Sequence, residues 1–113
     1  MIGRLGEVVI DCHDPAKLAE FWQHVLGGYV VRQSHEWVAL EPGHGVTVSF
    51  QLVPEDKTVK NRMHLDLHVG ADHVDDEVRR LEGLGATYAW TSDDRGPRCI
   101  TLRDPEGNEL CVS

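Results

Sequence analysis

The stretch that decides the fold is VVIDCHDPAKLAEFWQHVLGG, residues 8–28, in which a short apolar run gives way to a helical pattern. The run GEVVIDC, residues 6–12, is rich in β-branched side chains and predicts a strand. Asp14 suits the N-cap of a helix, and Pro15 suits its first position, where the missing N–H costs nothing. The helical stripe consists of Leu18, Phe21, Trp22, Val25 and Leu26. The glycine pair at 27–28 ends the helix, because glycine accepts a left-handed conformation there.

Three short strands are expected after this helix, separated by turn residues. The apolar and β-branched runs predict them around Tyr29–Gln33, Glu36–Glu41 and Val46–Val53. A Pro-Gly-His-Gly turn at 42–45 separates the last two. This part of the chain therefore predicts the order strand, helix and three strands.

The second half of the chain repeats that order. Met63–Val69 predicts a strand, and Asp72 is expected to cap a helix, with Asp75 three residues later as part of a capping-box pattern. The apolar stripe of this helix consists of Val74, Val78, Leu81 and Leu84. Gly85 is expected to end the helix. The three strands that follow are predicted at Thr87–Trp90, Arg98–Arg103 and Glu109–Val112.

The repeat can be followed in individual residues. Trp37–Leu40 and Cys99–Leu102 both precede a glycine-containing turn, and they lie 62 positions apart. We therefore predict an α+β fold of two tandem β-α-β-β-β modules, at about 1–53 and 62–113. The polar stretch PEDKTVKN, residues 54–61, is expected to link them within a single domain.

Composition narrows the choice of partners and compartment. The 113 residues carry a formal net charge of −8, which disfavours nucleic acid and anionic membrane surfaces as partners. No apolar run approaches the roughly 20 residues that a membrane helix needs, and the amino end shows no export signal. The three cysteines are odd in number and not closely paired, which is typical of reduced thiols and not of a disulfide framework or a zinc site. We therefore expect a cytoplasmic protein.

Four phrases together resemble the vicinal oxygen chelate superfamily, in particular its glyoxalase-like domains of the glyoxalase/bleomycin resistance/dioxygenase type. They are residues 8–28, KNRMHLDLHV at 60–69, RLEGLGAT at 80–87 and LRDPEGNELCV at 102–112. The most specific part is the turn Asp104–Asn108. The resemblance implies a curved eight-stranded half-barrel with a small-molecule or metal site inside, formed within one chain or across a dimer. Because the superfamily includes isomerases, epimerases, dioxygenases, transferases and drug-sequestering proteins, its fold does not specify a reaction.

The resemblance also indicates where a metal would bind. Metal-using relatives place ligands on the first and last strand of each module, which correspond here to Glu7, Ser49, His64 and Cys111, with Gln51 replacing Ser49 if the register shifts by two. Glu7 and His64 are competent ligands for a divalent metal such as Zn, Ni, Mn or Fe. The Ser49 hydroxyl is a poor ligand, and the Cys111 thiol stands where a carboxylate is expected. We therefore predict a retained cavity with an incomplete family metal site and weak metal binding. Zinc is the exception if the thiol approaches His64.

Other polar and aromatic side chains leave alternatives open. Strand alternation puts Asp11 on one face with Glu7, and Asp66 on one face with His64. These carboxylates and the imidazole can take part in proton transfer, or they can form hydrogen bonds with one another and with the loop backbone. Cys111 can be a nucleophile with His64 as its base, or a small buried residue. Trp37 and Trp90 can line the cavity or cover the outside of a sheet. Three basic residues lie close together in the sequence: Lys57, Lys60 and Arg62. They can receive an anionic substrate, or they can belong to a solvated linker.

Two main classes of function remain, beside a third in which the domain acts only through contacts with other proteins. The first is a small-molecule-binding or sequestering protein that lacks the full metal site and whose negative charge suits a cationic ligand. The second is a glyoxalase-, epimerase- or hydrolase-type enzyme that uses Glu7 and His64 as catalytic residues, with or without metal. The candidate ligand-binding residues are Glu7, Asp11, Trp37, Ser49, Gln51, His64, Asp66 and Cys111. A homodimer is expected because open sheets have edges to cover.

Overall fold

Strand, helix and three strands follow one another twice along the chain. The structure, a computed structural model, describes residues 2–93 and 96–113. The chain divides between Asp56 and Lys57 into two compact units, which we call module one and module two. Module one contains β1 (Glu7–Cys12), α1 (Pro15–Leu26), β2 (Tyr29–Gln33), β3 (Trp37–Glu41) and β4 (Thr47–Leu52). Module two contains β5 (Leu65–Leu67), α2 (Val74–Gly83), β6 (Thr87–Ser92), β7 (Cys99–Arg103) and β8 (Glu109–Val112).

Each module has its own four-stranded mixed sheet, and the two sheets have the same topology. The strand order is β1-β4-β3-β2 in module one and β5-β8-β7-β6 in module two. The first strand of each module pairs in parallel with the last, and the other pairs are antiparallel. The predicted α+β fold of two β-α-β-β-β modules is confirmed.

Helix α1 forms as the sequence predicts. The Asp14 carboxylate accepts a hydrogen bond from the Lys17 backbone N–H at 3.1 Å, and proline occupies the first turn. Leu18 and Trp22 are almost completely buried, and the Phe21 and Trp22 rings meet edge to face with centroids 5.8 Å apart. The helix ends where Gly27 adopts a φ of 73°, the left-handed region that favours glycine. Trp22 is therefore a core residue, as expected.

The start of α2 differs from the prediction. Asp72 lies inside a single 3-10 turn, Ala71–His73, and α2 begins one residue later with His73 at the N-cap and no side-chain capping bond. The predicted cap by Asp72 and its capping box with Asp75 are therefore wrong. The physical reason is a competing turn: Gly70 has a φ of 89°, and its carbonyl accepts from the His73 N–H at 2.9 Å. That i→i+3 bond tightens the backbone before the helix begins.

Strand β5 is shorter than the predicted Met63–Val69. Before the strand, the Asn61 N–H donates to the Glu109 carboxylate at 2.7 Å. The backbone there makes a hydrogen bond to a side chain in place of one to a neighbouring strand. After it, the Val69 N–H donates to the Ser113 carbonyl at 2.7 Å and extends the contact with the end of β8. His64 therefore lies just before β5, next to the first paired residue.

The two faces of each sheet differ in chemistry. One face packs its aliphatic side chains against the helix of the same module; Phe50 and Leu40 are completely buried in module one, and Leu102 and Leu110 in module two. Strand alternation turns the intervening residues to the opposite side, which we call the helix-free face. In module two it carries the side chains of His64, Asp66, Trp90, Cys99, Thr101, Arg103, Glu109 and Cys111. Across residues 2–93 and 96–113, no helix is long and apolar enough to cross a membrane.

Candidate functional site

The turn between β7 and β8 determines which residues meet on the helix-free face of module two. Asp104 is buried, and its Oδ1 accepts hydrogen bonds from the backbone N–H groups of Glu106 at 2.9 Å and Asn108 at 3.0 Å. Gly107 has a φ of 93°, which a side chain rarely tolerates. This turn is the Asp104–Asn108 phrase of the sequence. It places Thr101 of β7 opposite Cys111 of β8.

A row of side chains then crosses the sheet of module two. Asp66 of β5 lies beside Cys111, Cys111 beside Thr101, and Thr101 beside Trp90 of β6. The Thr101 hydroxyl and the Cys111 thiol are 3.3 Å apart, and both residues are buried. The row therefore runs from an exposed carboxylate through a buried thiol and hydroxyl to an indole.

Three possible metal ligands meet at one end of this row. His64 Nδ1 lies 2.7 Å from Asp66 Oδ1 and 4.0 Å from Cys111 Sγ. The three ligand atoms lie within 4.8 Å of one another. The side chains of His64 and Asp66 are 35% and 48% exposed, whereas Cys111 is buried. The cluster therefore has one side in contact with solvent and one side in the protein.

The geometry of this cluster favours metal binding over nucleophilic catalysis. A cysteine or serine nucleophile that is activated by a histidine uses one ring nitrogen, and the orienting carboxylate uses the other. Here Asp66 and Cys111 both approach the same nitrogen, Nδ1 of His64. Ligands bound at 2.0–2.3 Å around a tetrahedral ion lie roughly 3–4 Å apart. The three atoms therefore suit a common ion after small side-chain rotations.

Cys99 is a second thiol beside this cluster. Burial, followed by the hydrogen bond and the charge of the neighbouring Cys111 thiol and the charge of Asp66, raises the pKa of Cys99 to about 11. Cys99 and Cys111 are both free cysteines. Nothing in the sequence around Cys99 indicated that it lies near Cys111.

The buried carboxylate of Glu109 holds the chain segment that precedes β5. Its side chain is 1% exposed, and it accepts from Lys57 Nζ at 3.0 Å and from the Asn61 N–H at 2.7 Å. Arg103 Nε lies 3.5 Å away. Burial alone would raise the pKa of Glu109, but the hydrogen bonds from Asn61 and Lys57 and the Lys57 charge outweigh it, so this pKa lies below its usual value. Lys57 is thus paired with a carboxylate of β8 in module two.

Trp90 has cationic neighbours. Lys60 Nζ lies 5.9 Å from the centre of its ring, and Arg103 Cζ lies 5.7 Å from it. Both distances are within the range of cation–π attraction. Two cationic side chains thus lie near this ring, and one of them, Arg103, also lies 3.5 Å from the Glu109 carboxylate.

Among the described residues of module one, the corresponding positions form no equivalent cluster. The Ser49 hydroxyl, completely buried, donates to Glu7 Oε2 at 2.5 Å. Ser49 lies beside Val9 of β1, where module two has Asp66 beside Cys111. Asp11 and Gln51 are paired across β1 and β4 and are exposed, and Trp37 is half-buried.

The structure thus brings together only some of the predicted site residues. His64, Asp66 and Cys111 form one cluster in module two, in which His64 lies just before β5 and contacts Cys111 of β8. Glu7, Ser49, Asp11, Gln51 and Trp37 all belong to the sheet of module one. The donor chemistry of the family positions does not fit a hard divalent ion, because Ser49 is a weak ligand already bonded to Glu7 and Cys111 is a soft one.

Comparisons with known proteins agree with this fold. A family model described as a glyoxalase-like domain matches residues 7–113. A sequence search of curated proteins finds no match. The fold is similar to that of a glyoxalase/bleomycin resistance protein/dioxygenase family enzyme from Burkholderia phytofirmans PsJN, with a TM-score of 0.80, 21% identity and 97% of each chain covered.

Two fosfomycin resistance proteins are also similar in fold. A mutant of FosX from Listeria monocytogenes, complexed with Mn(II) and 1S,2S-dihydroxypropylphosphonic acid, has a TM-score of 0.81 and 16% identity; 99% of this chain and 90% of that chain are covered. FosX from Mesorhizobium loti has a TM-score of 0.75 and 17% identity, with 99% and 92% covered. At these identities the likeness shows the fold alone. The family match over residues 7–113 and the paired β-α-β-β-β modules show that the chain belongs to the glyoxalase-like domain family of the vicinal oxygen chelate superfamily.

Proposed function

We propose that this chain is a small-molecule-binding glyoxalase-like protein that does not use the full metal set of its superfamily. The observation that carries the proposal lies at the last-strand positions of the two modules. Ser49 and Cys111 stand there in place of carboxylates, and both are buried with a polar neighbour, Glu7 for Ser49 and Thr101 for Cys111. A side chain that is already buried and bonded is a poor ligand for a hard cation.

The helix-free face of module two supports a particular class of ligand. Trp90 offers an indole for stacking, and Lys60 and Arg103 lie close to its ring. We therefore propose a ligand with a planar apolar part and an anionic group. This differs from the cationic ligand that the net charge of the whole chain favours, because two cationic side chains lie near the Trp90 ring.

A binding experiment with a matched pair of probes tests this proposal. The probes are 2-naphthoate and 2-naphthylmethylammonium, which share a planar ring system and differ in the sign of their charge. We expect naphthoate to raise the melting temperature and to quench tryptophan fluorescence, because a ligand that prefers the folded state stabilises it. Lys60→Ala should weaken this effect, whereas Lys17→Ala, an exposed lysine on α1, should not. Equal responses to the two probes, or none, would contradict the proposal.

The alternative is a glyoxalase-, epimerase- or hydrolase-type enzyme that uses Glu7 and His64, with or without a divalent metal. The contact between His64 and Asp66 supports it, since a carboxylate can orient an imidazole for proton transfer. The Mn(II) complex of the FosX mutant supports a metal in a protein of similar fold. Manganese at near one equivalent, lost in both Glu7→Gln and His64→Ala, would place the enzyme first.

A homodimer is part of the proposal. Two outer strands carry exposed apolar side chains, with Tyr29 and Val31 on β2 and Tyr88 on β6. Such edges are commonly covered by pairing. Sedimentation equilibrium at micromolar concentration should give the mass of two chains, and the mass of one chain would contradict this part of the proposal.

A further inference from the structure

We infer that module two contains a soft-metal site of its own, formed by the thiols of Cys99 and Cys111, the imidazole of His64 and the carboxylate of Asp66, and that it takes zinc-type ions. The inference goes beyond the proposed ligand-binding function and does not depend on it. The site shares His64 and Cys111 with the ligand pattern that the family resemblance implies, but it differs in its other donors. It takes a donor from the third strand of a module and requires none from module one.

The strand register brings the four side chains to one face. Asp66 lies directly beside Cys111 in the parallel pair β5–β8, and His64 precedes Asp66 by two residues. Thr101 lies beside Cys111 in the antiparallel pair β7–β8, so that Cys99, two residues before Thr101, is a diagonal neighbour of Cys111. His64, Asp66 and Cys111 already hold their ligand atoms within 4.8 Å of one another. Cys99 lies outside that group on the same face, and its side chain must turn toward Cys111 to complete the site.

The two thiols are better placed to share an ion than to form a disulfide. Diagonal neighbours in an antiparallel pair have Cα atoms roughly 7–8 Å apart. A disulfide usually requires roughly 4.4–6.8 Å. Two thiolates on one tetrahedral zinc, each bound at about 2.3 Å, lie only about 3.7 Å apart and leave the backbone where it is.

The donor types determine which ions the site selects. Two sulfurs, one imidazole nitrogen and one carboxylate oxygen form a tetrahedral set typical of zinc, whereas magnesium, calcium and manganese prefer oxygen donors. The exposed side chains of His64 and Asp66 provide the route of entry from solvent, and the buried Cys111 forms the floor. Both cysteines are free, so both can bind an ion after losing a proton.

Cobalt(II) is the probe that tests this site, because it takes the geometry of zinc and is coloured. The full chain, reduced and freed of metal, is titrated with cobalt(II) and then with zinc as competitor. We expect one equivalent, a thiolate-to-cobalt charge-transfer band and the strong visible bands of a tetrahedral ion. Cys99→Ser, Cys111→Ser and His64→Ala should each lower zinc affinity at least about tenfold, the lower end of what even outer-shell changes cost. Cys99→Ser and Cys111→Ser should also weaken the charge-transfer band.

Cys12→Ser is the matched control, since Cys12 belongs to module one and donates weakly to the Gln51 carbonyl at 3.6 Å. It should keep full affinity and the full band. Circular dichroism establishes that each variant is folded. If Cys111→Ser does not fold, the test relies on Cys99→Ser and His64→Ala, which change less buried residues. No charge-transfer band in the wild type, or zinc affinity unchanged in Cys99→Ser, would overturn the inference. Naphthoate binding by the metal-free protein is measured in the same variants, so that failure of the ligand proposal is seen separately.

Discussion

Ser49 and Cys111 hold the same position in the two modules, each flanked in register by the first and third strands of its own sheet. Their neighbours have diverged. Ser49 donates to a carboxylate on the first strand, Glu7, whereas Cys111 lies beside a hydroxyl and an imidazole, with Cys99 on the same face of the sheet. The same backbone arrangement therefore carries a hydrogen-bonded pair, Ser49 and Glu7, in module one. In module two it carries a group of possible metal ligands around Cys111.

The turn after α1 should be highly sensitive to one of its two glycines. A Cβ at Gly28, where φ is +85°, would lie 2.0 Å from the Glu41 carbonyl oxygen, and that backbone atom cannot move aside cheaply. We expect Gly28→Ala to lower the free energy of unfolding by more than about 3 kcal/mol, since backbone strain and a steric clash add.

Gly27→Ala is the control for that substitution. Gly27 has a φ of 73° and a ψ of −166°, a region essentially restricted to glycine, but a Cβ added there would meet no other atom within 4 Å, so only the conformational cost of about 1–3 kcal/mol remains. Urea denaturation of both variants measures the difference. Equal losses would show that the contact with Glu41 is not what makes the position intolerant.

The caps of the two helices should respond differently to alanine. Asp14→Ala removes the acceptor for the Lys17 N–H and should cost about 1 kcal/mol. Asp72→Ala should change stability by less than about 0.5 kcal/mol, because Asp72 lies in the 3-10 turn and no side chain caps α2. Thermal or urea unfolding of the pair is sufficient, and a loss in Asp72→Ala as large as that in Asp14→Ala would restore the capping role that the sequence predicted.

How far the sequence predicts this protein depends on how local each signal is. The cap of α1 is predicted correctly because Asp14 acts on a residue three positions away. The cap of α2 is not, because the tight turn at Gly70 competes for the same backbone. The proximity of Cys99 to Cys111 has no signature in their spacing, since it arises from the register that the β7–β8 turn imposes. The burial of Glu109 under Lys57 likewise depends on contacts across 52 residues.

The Cys99 thiol should react slowly with alkylating agents at neutral pH. Its pKa is raised to about 11, first by burial and then by the Cys111 thiol, so that very little thiolate exists at pH 7. In metal-free protein the rate of modification by iodoacetamide should rise about tenfold for each pH unit between 7 and 9, because the thiolate is the reactive form. Peptide mass spectrometry measures this rate at Cys99. A rate that stays flat across this range would contradict the raised pKa, and rapid reaction in urea confirms that the thiol itself is intact.

The buried carboxylate of Glu109 should make stability depend on pH in the acid range. Its pKa in the folded protein lies below the usual value of about 4.3, so the folded state favours the ionised form. The stability that this ionisation contributes is fully present above about pH 4.3 and is lost as the pH falls through the lower, folded-state pKa. Glu109→Gln keeps the shape of the side chain but removes the charge that accepts from Lys57 and Asn61.

We expect Glu109→Gln to lower the free energy of unfolding by about 2 kcal/mol at pH 7, the usual size of a hydrogen bond to a charged group. The difference from wild type should shrink toward pH 3, because the wild-type carboxylate then becomes neutral as well. Urea unfolding at both pH values measures it, with Glu82→Gln, an exposed carboxylate on α2, as the control that should show neither effect. A penalty of the same size at both pH values would mean that Glu109 stabilises module two through its packing and not through its charge.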